Sequence, residues 1–206
     1  MSFRKTDKND RVMIFLDLAN IELGLRNYDG LENCSVDHEE LASNLIDGRK
    51  VTGAITFGTK EYFRQYREQS EYLSEIGYKL VYGHREDGMQ KEVDVSLAVE
   101  LLMHAYNDHY DVAILLSGDR DYIPAISAVQ SLGKQVEVAA FNESVSYQVV
   151  NVSDKFTDVA KMPVIFYNPP EVEESFECDL EAEGISNEFM DLNEVINEAK
   201  ASMEAE

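Results

Sequence analysis

Five short apolar runs, each separated from the next by a polar turn and in most cases a helical pattern, constrain this chain more than any other feature. RVMIFLD (11–17), VTGAITFG (51–58), YKLVYG (78–83), DVAILLS (111–117) and KQVEVAAF (134–141) have the length and β-branched content of strands. Between them lie segments of helical period. Val36–Ile46 carries Asp37 as N-cap and Glu40 three residues on, a capping-box pattern. The segment 61–77 sets Tyr62, Tyr66, Leu73 and Ile76 near one face and ends on Gly77, and 94–106 spaces Leu97, Leu101, Leu102 and Ala105 for another. DYIPAISAVQSLG (121–133) predicts a further helix, whereas 18–35 reads as irregular. Strand and helix in alternation predict an α/β fold: a doubly wound, mainly parallel sheet with helices on both faces.

Composition bounds the domain. Residues 1–10 read as an N-terminal extension, 11–168 as one domain, and the pattern stops at NPP. Residues 169–206 predict a disordered acidic tail, in which Phe189, Leu192, Ile196 and Ala199 suggest a short amphipathic helix. Residues 171–206 hold 13 of the 40 acids and one of the 18 bases, Lys200, so -12 of the net charge of -22 lies there. Such acidity excludes broad polyanion binding, because phosphate contacts need Lys and Arg; nucleic acid requires a local basic rim or a metal. The tail suits a basic protein partner. No apolar run approaches the roughly 18 residues of a membrane span, and MSFRKTDKND has no apolar region behind its charges, so the expected location is cytoplasmic, with no membrane partner. Cys34 and Cys178 show neither disulfide nor zinc spacing.

The chemistry gathers where strands end. In an open parallel sheet, ligands sit at the carboxyl ends of the strands, at the point where strand order reverses. Asp17 ends the first strand, and Asp119 and Asp121 follow DVAILLS within SGDRDYIPA. If those two strands are neighbours, their carboxylates meet in one crevice, and Asp94 at the start of the 94–106 helix faces the same edge. Two carboxylates so close repel, and a divalent cation is the usual remedy. Each aspartate also has a plainer reading: Asp94 and Asp121 as helix caps, Asp17 as the closure of a turn. Four at one sheet edge favour a metal site.

FLDLAN, KEVDVSLAVELL, LLSGDRDYIPAISAVQSLGKQVEVAAF and SDKFTDV resemble the NYN domain, in its LabA-like branch of the PIN-like nuclease superfamily. The resemblance spans about 10–160 and is strongest over 91–141. The family's aspartate, two residues, then asparagine is matched by Asp17 and Asn20, although Leu18 and Ala19 replace the usual glycine and its small or acidic neighbour. The resemblance implies a PIN-like fold, an acidic pocket of Asp17, Asp94, Asp119 and Asp121 for Mg2+ or Mn2+, ribonuclease activity and, as often in the family, a homodimer.

Oxygen-only ligands suit Mg2+ or Mn2+, which keep several waters while touching one or two carboxylates and a substrate phosphate. Catalysis is therefore assigned to Asp17, Asp94, Asp119 and Asp121, with Asp17 and Asp119 as principal ligands. Substrate contacts are assigned to Asn20, Ser117, Arg120, Lys91 and Thr59, with His84, Arg85 and Lys60 nearby and Gly118 allowing close backbone approach. Tyr62, Tyr66 and Tyr72 either stack on bases or pack in the core. His104 and His109 read as structural. An aspartyl-nucleophile phosphatase needs a second aspartate where Ala19 stands, SGDRD followed directly by a helix is not a receiver pattern, and no P-loop, GxSxG or dinucleotide fingerprint occurs. The remaining rival is a non-catalytic RNA-binding or protein-interaction module with a metal-binding pocket.

Overall fold

The structure, a computed structural model, describes residues 7–31, 33–83, 91–162 and 166–167. The expectations for residues 1–6, the 84–90 loop and the 169–206 tail lie outside them. Six strands form one sheet: β1 (Arg11–Asp17), β3 (Lys50–Thr59), β4 (Lys79–Gly83), β5 (Val112–Leu116), β6 (Gln135–Ala140) and β7 (Lys155–Asp158). Their spatial order is β4-β3-β1-β5-β6-β7, and every neighbouring pair is parallel. β2 (Ser35–Val36) and β8 (Phe166–Tyr167) form a separate antiparallel pair. Strand order reverses between β1 and β5, so the two aspartate-bearing strands are neighbours, Leu16 beside Leu116.

Alternation within the strands builds two cores. Val12, Ile14 and Leu16 of β1, with Val112, Ile114 and Leu116 of β5, face one side. There they pack against α1 (Leu18–Arg26), α2 (His38–Ile46), α3 (Lys60–Gln65) and α4 (Arg67–Glu75). Met13 and Phe15, with Ala113 and Leu115, meet α5 (Lys91–Tyr106), α6 (Ile123–Ser131) and α7 (Tyr147–Val152) on the other. Both faces are dry, which is why these strands read as continuous apolar runs. Truncating a side chain such as Phe15, 0% exposed, would cost about 3–5 kcal/mol. No helix among the described residues is long and apolar enough to cross a membrane.

Besides β2, α7, β7 and β8, which the sequence reading does not foresee, three elements depart from it. The stretch after Asp17 is helical: Leu18, Ile21 and Leu25 are buried on one face of α1, and Asp17 caps it. Gly24 disguises this pattern, yet it is required there, since a Cβ would lie 2.5 Å from Phe141 Cδ2. The single helix expected over 61–77 breaks at Tyr66 (φ -109°, ψ 58°) into α3 and α4. Ser70 Oγ stands within hydrogen-bond distance of the carbonyls of Phe63 (3.1 Å) and Tyr66 (2.8 Å) across the break and can donate its one proton to either. α5 begins at Lys91, placing Asp94 in its first turn rather than at the cap.

The amino end of the sheet is tied by ion pairs. Arg11 donates to Asp111 through Nε (3.0 Å) and a terminal nitrogen (2.9 Å), and to Asp108 Oδ1 (3.0 Å), which Lys134 also meets. Deeper in, Arg49 makes a two-pronged bond to Glu137 on β6, both contacts 2.9 Å, and donates to the carbonyls of Leu45 and Ile46 at the end of α2. Both side chains are buried.

Candidate active site: three carboxylates at the switch point

Asp17 sits where β1 gives way to α1. Its Oδ1 accepts from the Asn20 amide at 3.2 Å, the N-cap bond, and its Oδ2 accepts from Ser117 Oγ at 3.1 Å and Tyr122 Oη at 3.2 Å. The residue is 6% exposed. Burial pushes its carboxyl up to about 6; the Asn20 amide opposes this, while the charge of Asp94 adds to it. Asp94, half-buried, reaches the same Tyr122 hydroxyl at 3.1 Å. Burial also raises its carboxyl; the Tyr122 bond opposes this and the charges of Asp119 and Asp121 reinforce it. Asp119 caps a 3-10 turn over Arg120–Tyr122, its Oδ1 accepting from the Asp121 amide at 2.9 Å, and its own N–H donates to Ser117 Oγ at 3.2 Å.

Tyr122, 1% exposed, thus has one hydroxyl proton and two carboxylate neighbours. It can donate to one of them. The other contact is attractive only when that carboxyl carries a proton, the state that burial of Asp17 and Asp94 favours. Burial first, then the two carboxylates, pushes the Tyr122 phenol upward, so it remains a neutral donor.

Asp17, Asp94 and Asp119 line one cavity of about 370 Å³, together with Ala19, Asn20, Glu22 and Arg26 of α1 and Tyr62 of α3. Asp121 is exposed and does not line it, although its charge reaches Asp94. Among the described residues, none of the four aspartates forms an ion pair with a lysine or arginine. Arg26 raises the positive charge of the wall, but its guanidinium is engaged by Tyr66. Among the same residues, no group of three or more His, Cys, Asp or Glu side chains stands close enough to hold a metal ion as arranged. The Tyr122 hydroxyl stands between Asp17 and Asp94, within reach of both. The donor set is nonetheless all hard oxygen, and an ion such as Mg2+ touches only one or two carboxylates directly, with waters bridging to others.

The assigned substrate contacts separate into kinds. Ser117 is 0% exposed, with its hydroxyl shared between Asp17 and the Asp119 amide, so it positions carboxylates and cannot reach a phosphate. Thr59 caps α3, its Oγ1 accepting from the Tyr62 amide at 3.0 Å, and it stands outside the cavity. Asn20 lines the cavity, but its Oδ1 accepts from the Gly118 amide at 2.9 Å and so fastens α1 to the loop after β5. Gly118 is small because Val145 passes it, 2.9 Å from an added Cβ, and not to admit a ligand. Arg120 is exposed and does not line the cavity. The Lys91 side chain, like His84 and Arg85, lies outside the described residues. Three residues of the site escaped the sequence reading. Glu22 and Arg26 lie on the unforeseen α1, one turn apart after Asp17, and a test for helical period from that cap would have found them. Tyr122 reads from sequence as an ordinary buried aromatic.

The NYN domain matches the chain over residues 11–162. The crystal structure of a protein of unknown function from Vibrio parahaemolyticus is similar in fold, with a TM-score of 0.67 at 20% identity, covering 80% of this chain and 100% of that one. No curated protein matches the chain.

Proposed function

The chain belongs to the NYN domain family, within the PIN-like superfamily, and from that premise we propose that it is a ribonuclease that hydrolyses RNA phosphodiesters with Mg2+ or Mn2+. One observation carries the reading: three carboxylates of distant sequence origin, Asp17, Asp94 and Asp119, line one cavity at the switch point without a partnering base among the described residues. Buried or half-buried carboxylates in that state are costly unless a cation joins them.

Asp17, Asp94 and Asp119 would hold the ion, and Asp121, at the rim, would act through water. A bound hard dication supplies a water of lowered pKa and offsets charge on the leaving oxygen. The chain's own residues set the geometry. Ser117 fixes Asp17 and the Asp119 backbone, Tyr122 aligns Asp17 with Asp94, and the Asn20–Gly118 bond keeps β1 and β5 in step. Arg26, on the cavity wall, is placed to balance a phosphate.

The test is labelled RNA with the full chain in Mg2+, Mn2+ or EDTA, beside Asp119→Asn. Asparagine keeps the cap to Asp121 but loses the charge, so cleavage should fall on the order of 10²–10³-fold, as when one electrostatic element of an active site is removed. Unfolding temperature should barely change. Undiminished Mg2+-dependent cleavage by the variant removes the reading. Binding of RNA without cleavage is the second reading, favoured because, among the described residues, no three His, Cys, Asp or Glu side chains stand close enough to hold a metal ion as arranged. The same assay separates the two, since that reading predicts metal-dependent RNA binding and no product.

A further inference from the structure

A second cavity, of about 880 Å³, opens beside the carboxylates between α1, the β2–α2 segment and the α3–α4 break. The two cavities share a wall made by Glu22, Arg26 and Tyr62. Its volume lies within the range of small-ligand sites. Its lining is unlike the first. Tyr62 and Tyr66 present rings 4.6 Å apart at 39°, Tyr72 stands beyond them, and Arg26 and Arg67, the latter paired with Glu71, balance Glu22 and Glu68.

His38 gives the independent sign of a ligand. It lines this cavity, is 1% exposed, and neither ring nitrogen has a hydrogen-bond partner. Nε2 lies 3.8 Å from Glu22 Oε1, within reach of an ion pair but too far for a hydrogen bond, and that oxygen also accepts from Gln69 Nε2 at 2.7 Å. A buried imidazole left so is disfavoured, and a partner brought into the cavity would relieve it. A nucleobase offers the required features together: a flat face for tyrosines and an edge that carries donors and acceptors.

We propose that this second cavity receives the base of a nucleotide next to the phosphodiester held at the carboxylates, in single-stranded RNA. The inference rests on the ribonuclease reading, which brings the phosphate to the adjoining site. The base stacks against Tyr62 and Tyr66, its edge meets His38, and Arg26 stands between base and phosphate. A paired base cannot enter, so the site selects unpaired RNA.

The test uses the full chain in Ca2+ with an eight-nucleotide RNA carrying 4-thiouridine, single-stranded or annealed to its complement. Ultraviolet crosslinks should map to peptides that contain residues 33–38 and 62–72, and should vanish with the duplex. Tyr66→Ala should weaken binding of the octamer roughly tenfold, as loss of one stacked base does. His38→Leu should weaken it as well, and His38→Gln, which can still hydrogen-bond, should restore it. Crosslinks confined to other peptides, equal capture of duplex, or wild-type affinity in Tyr66→Ala would overturn the inference. RNA cleaved in Mg2+ with crosslinks elsewhere removes this base site alone. Crosslinks here without cleavage in Mg2+ or Mn2+ remove the hydrolytic reading and leave an RNA-binding cavity.

Discussion

At the amino end of the sheet, Asp108 and Asp111 are held by Arg11 and Lys134, and Glu137 by Arg49; at the carboxyl end, Asp17, Asp94 and Asp119 share a cavity without an ion pair among the described residues. The register lines up the two sets on the same strands, Arg11 beginning β1 and Asp17 ending it. Their protonation follows. The guanidinium of Arg11 holds the Asp111 carboxyl well below the usual range, whereas burial lifts that of Asp17 to about 6. One end uses its charges to join elements. The other keeps negative oxygens in reserve at a cost in stability, as functional sites commonly do.

The contrast can be tested by breaking each end. The largest effect is expected from Arg49→Ala, which removes the two-pronged partner of the buried Glu137 carboxylate, leaving Lys155 Nζ 3.7 Å from it, and removes the donors to the Leu45 and Ile46 carbonyls at the end of α2; urea unfolding should show a loss of about 3–4 kcal/mol. At the other end the sign reverses. Asp17→Asn removes an unpaired buried charge while keeping the α1 cap, so in EDTA at pH 7 it should stabilise the protein, on the order of 1–3 kcal/mol. Mg2+ should then raise the unfolding temperature of the wild type and have little effect on the variant.

The pH dependence sharpens the same comparison. Because the folded-state value of Asp17 is raised, the folded state binds its proton more tightly than the unfolded one. In EDTA, stability should therefore fall as pH rises from the ordinary value of 3.8 to about 6, and Asp17→Asn should flatten this decline. Asp111 is lowered, so its contribution is complete above that ordinary value and disappears only in stronger acid. Metal uptake, which needs carboxylates deprotonated, should strengthen as pH rises through 6. The smallest effect is expected from Arg11→Ala: its ion pairs are partly exposed to solvent, so thermal unfolding should register under about 1 kcal/mol, less in high salt.

The parallel sheet was legible because strands buried on both faces leave unbroken apolar runs, and the meeting of Asp17 with Asp119 followed once β1 and β5 were neighbours. Elements that owe their form to one another were not. α1 was hidden by Gly24, whose absent side chain makes sense only beside Phe141, and the α3–α4 break depends on Ser70 reaching back to Phe63 and Tyr66. β7, with the half-buried sequence KFTD, is too short and polar to declare itself. Within the site, Asp17 and Asp119 as ends of strands could be read directly. The role of Tyr122, a phenol wedged between two acids, is a product of packing and has no signature in spacing.

The strand order also governs when this protein becomes competent during synthesis. β1 is made first, yet its partner β5 comes nearly a hundred residues later, and the Asp119 turn follows β5. A nascent chain stopped after β4 carries Asp17 on an open edge, with neither Ser117 nor Tyr122 to orient it. On the proposed reading, a growing polypeptide therefore emerges beside messenger RNA with its cutting apparatus unassembled, and one terminated before β5 lacks Asp119 altogether.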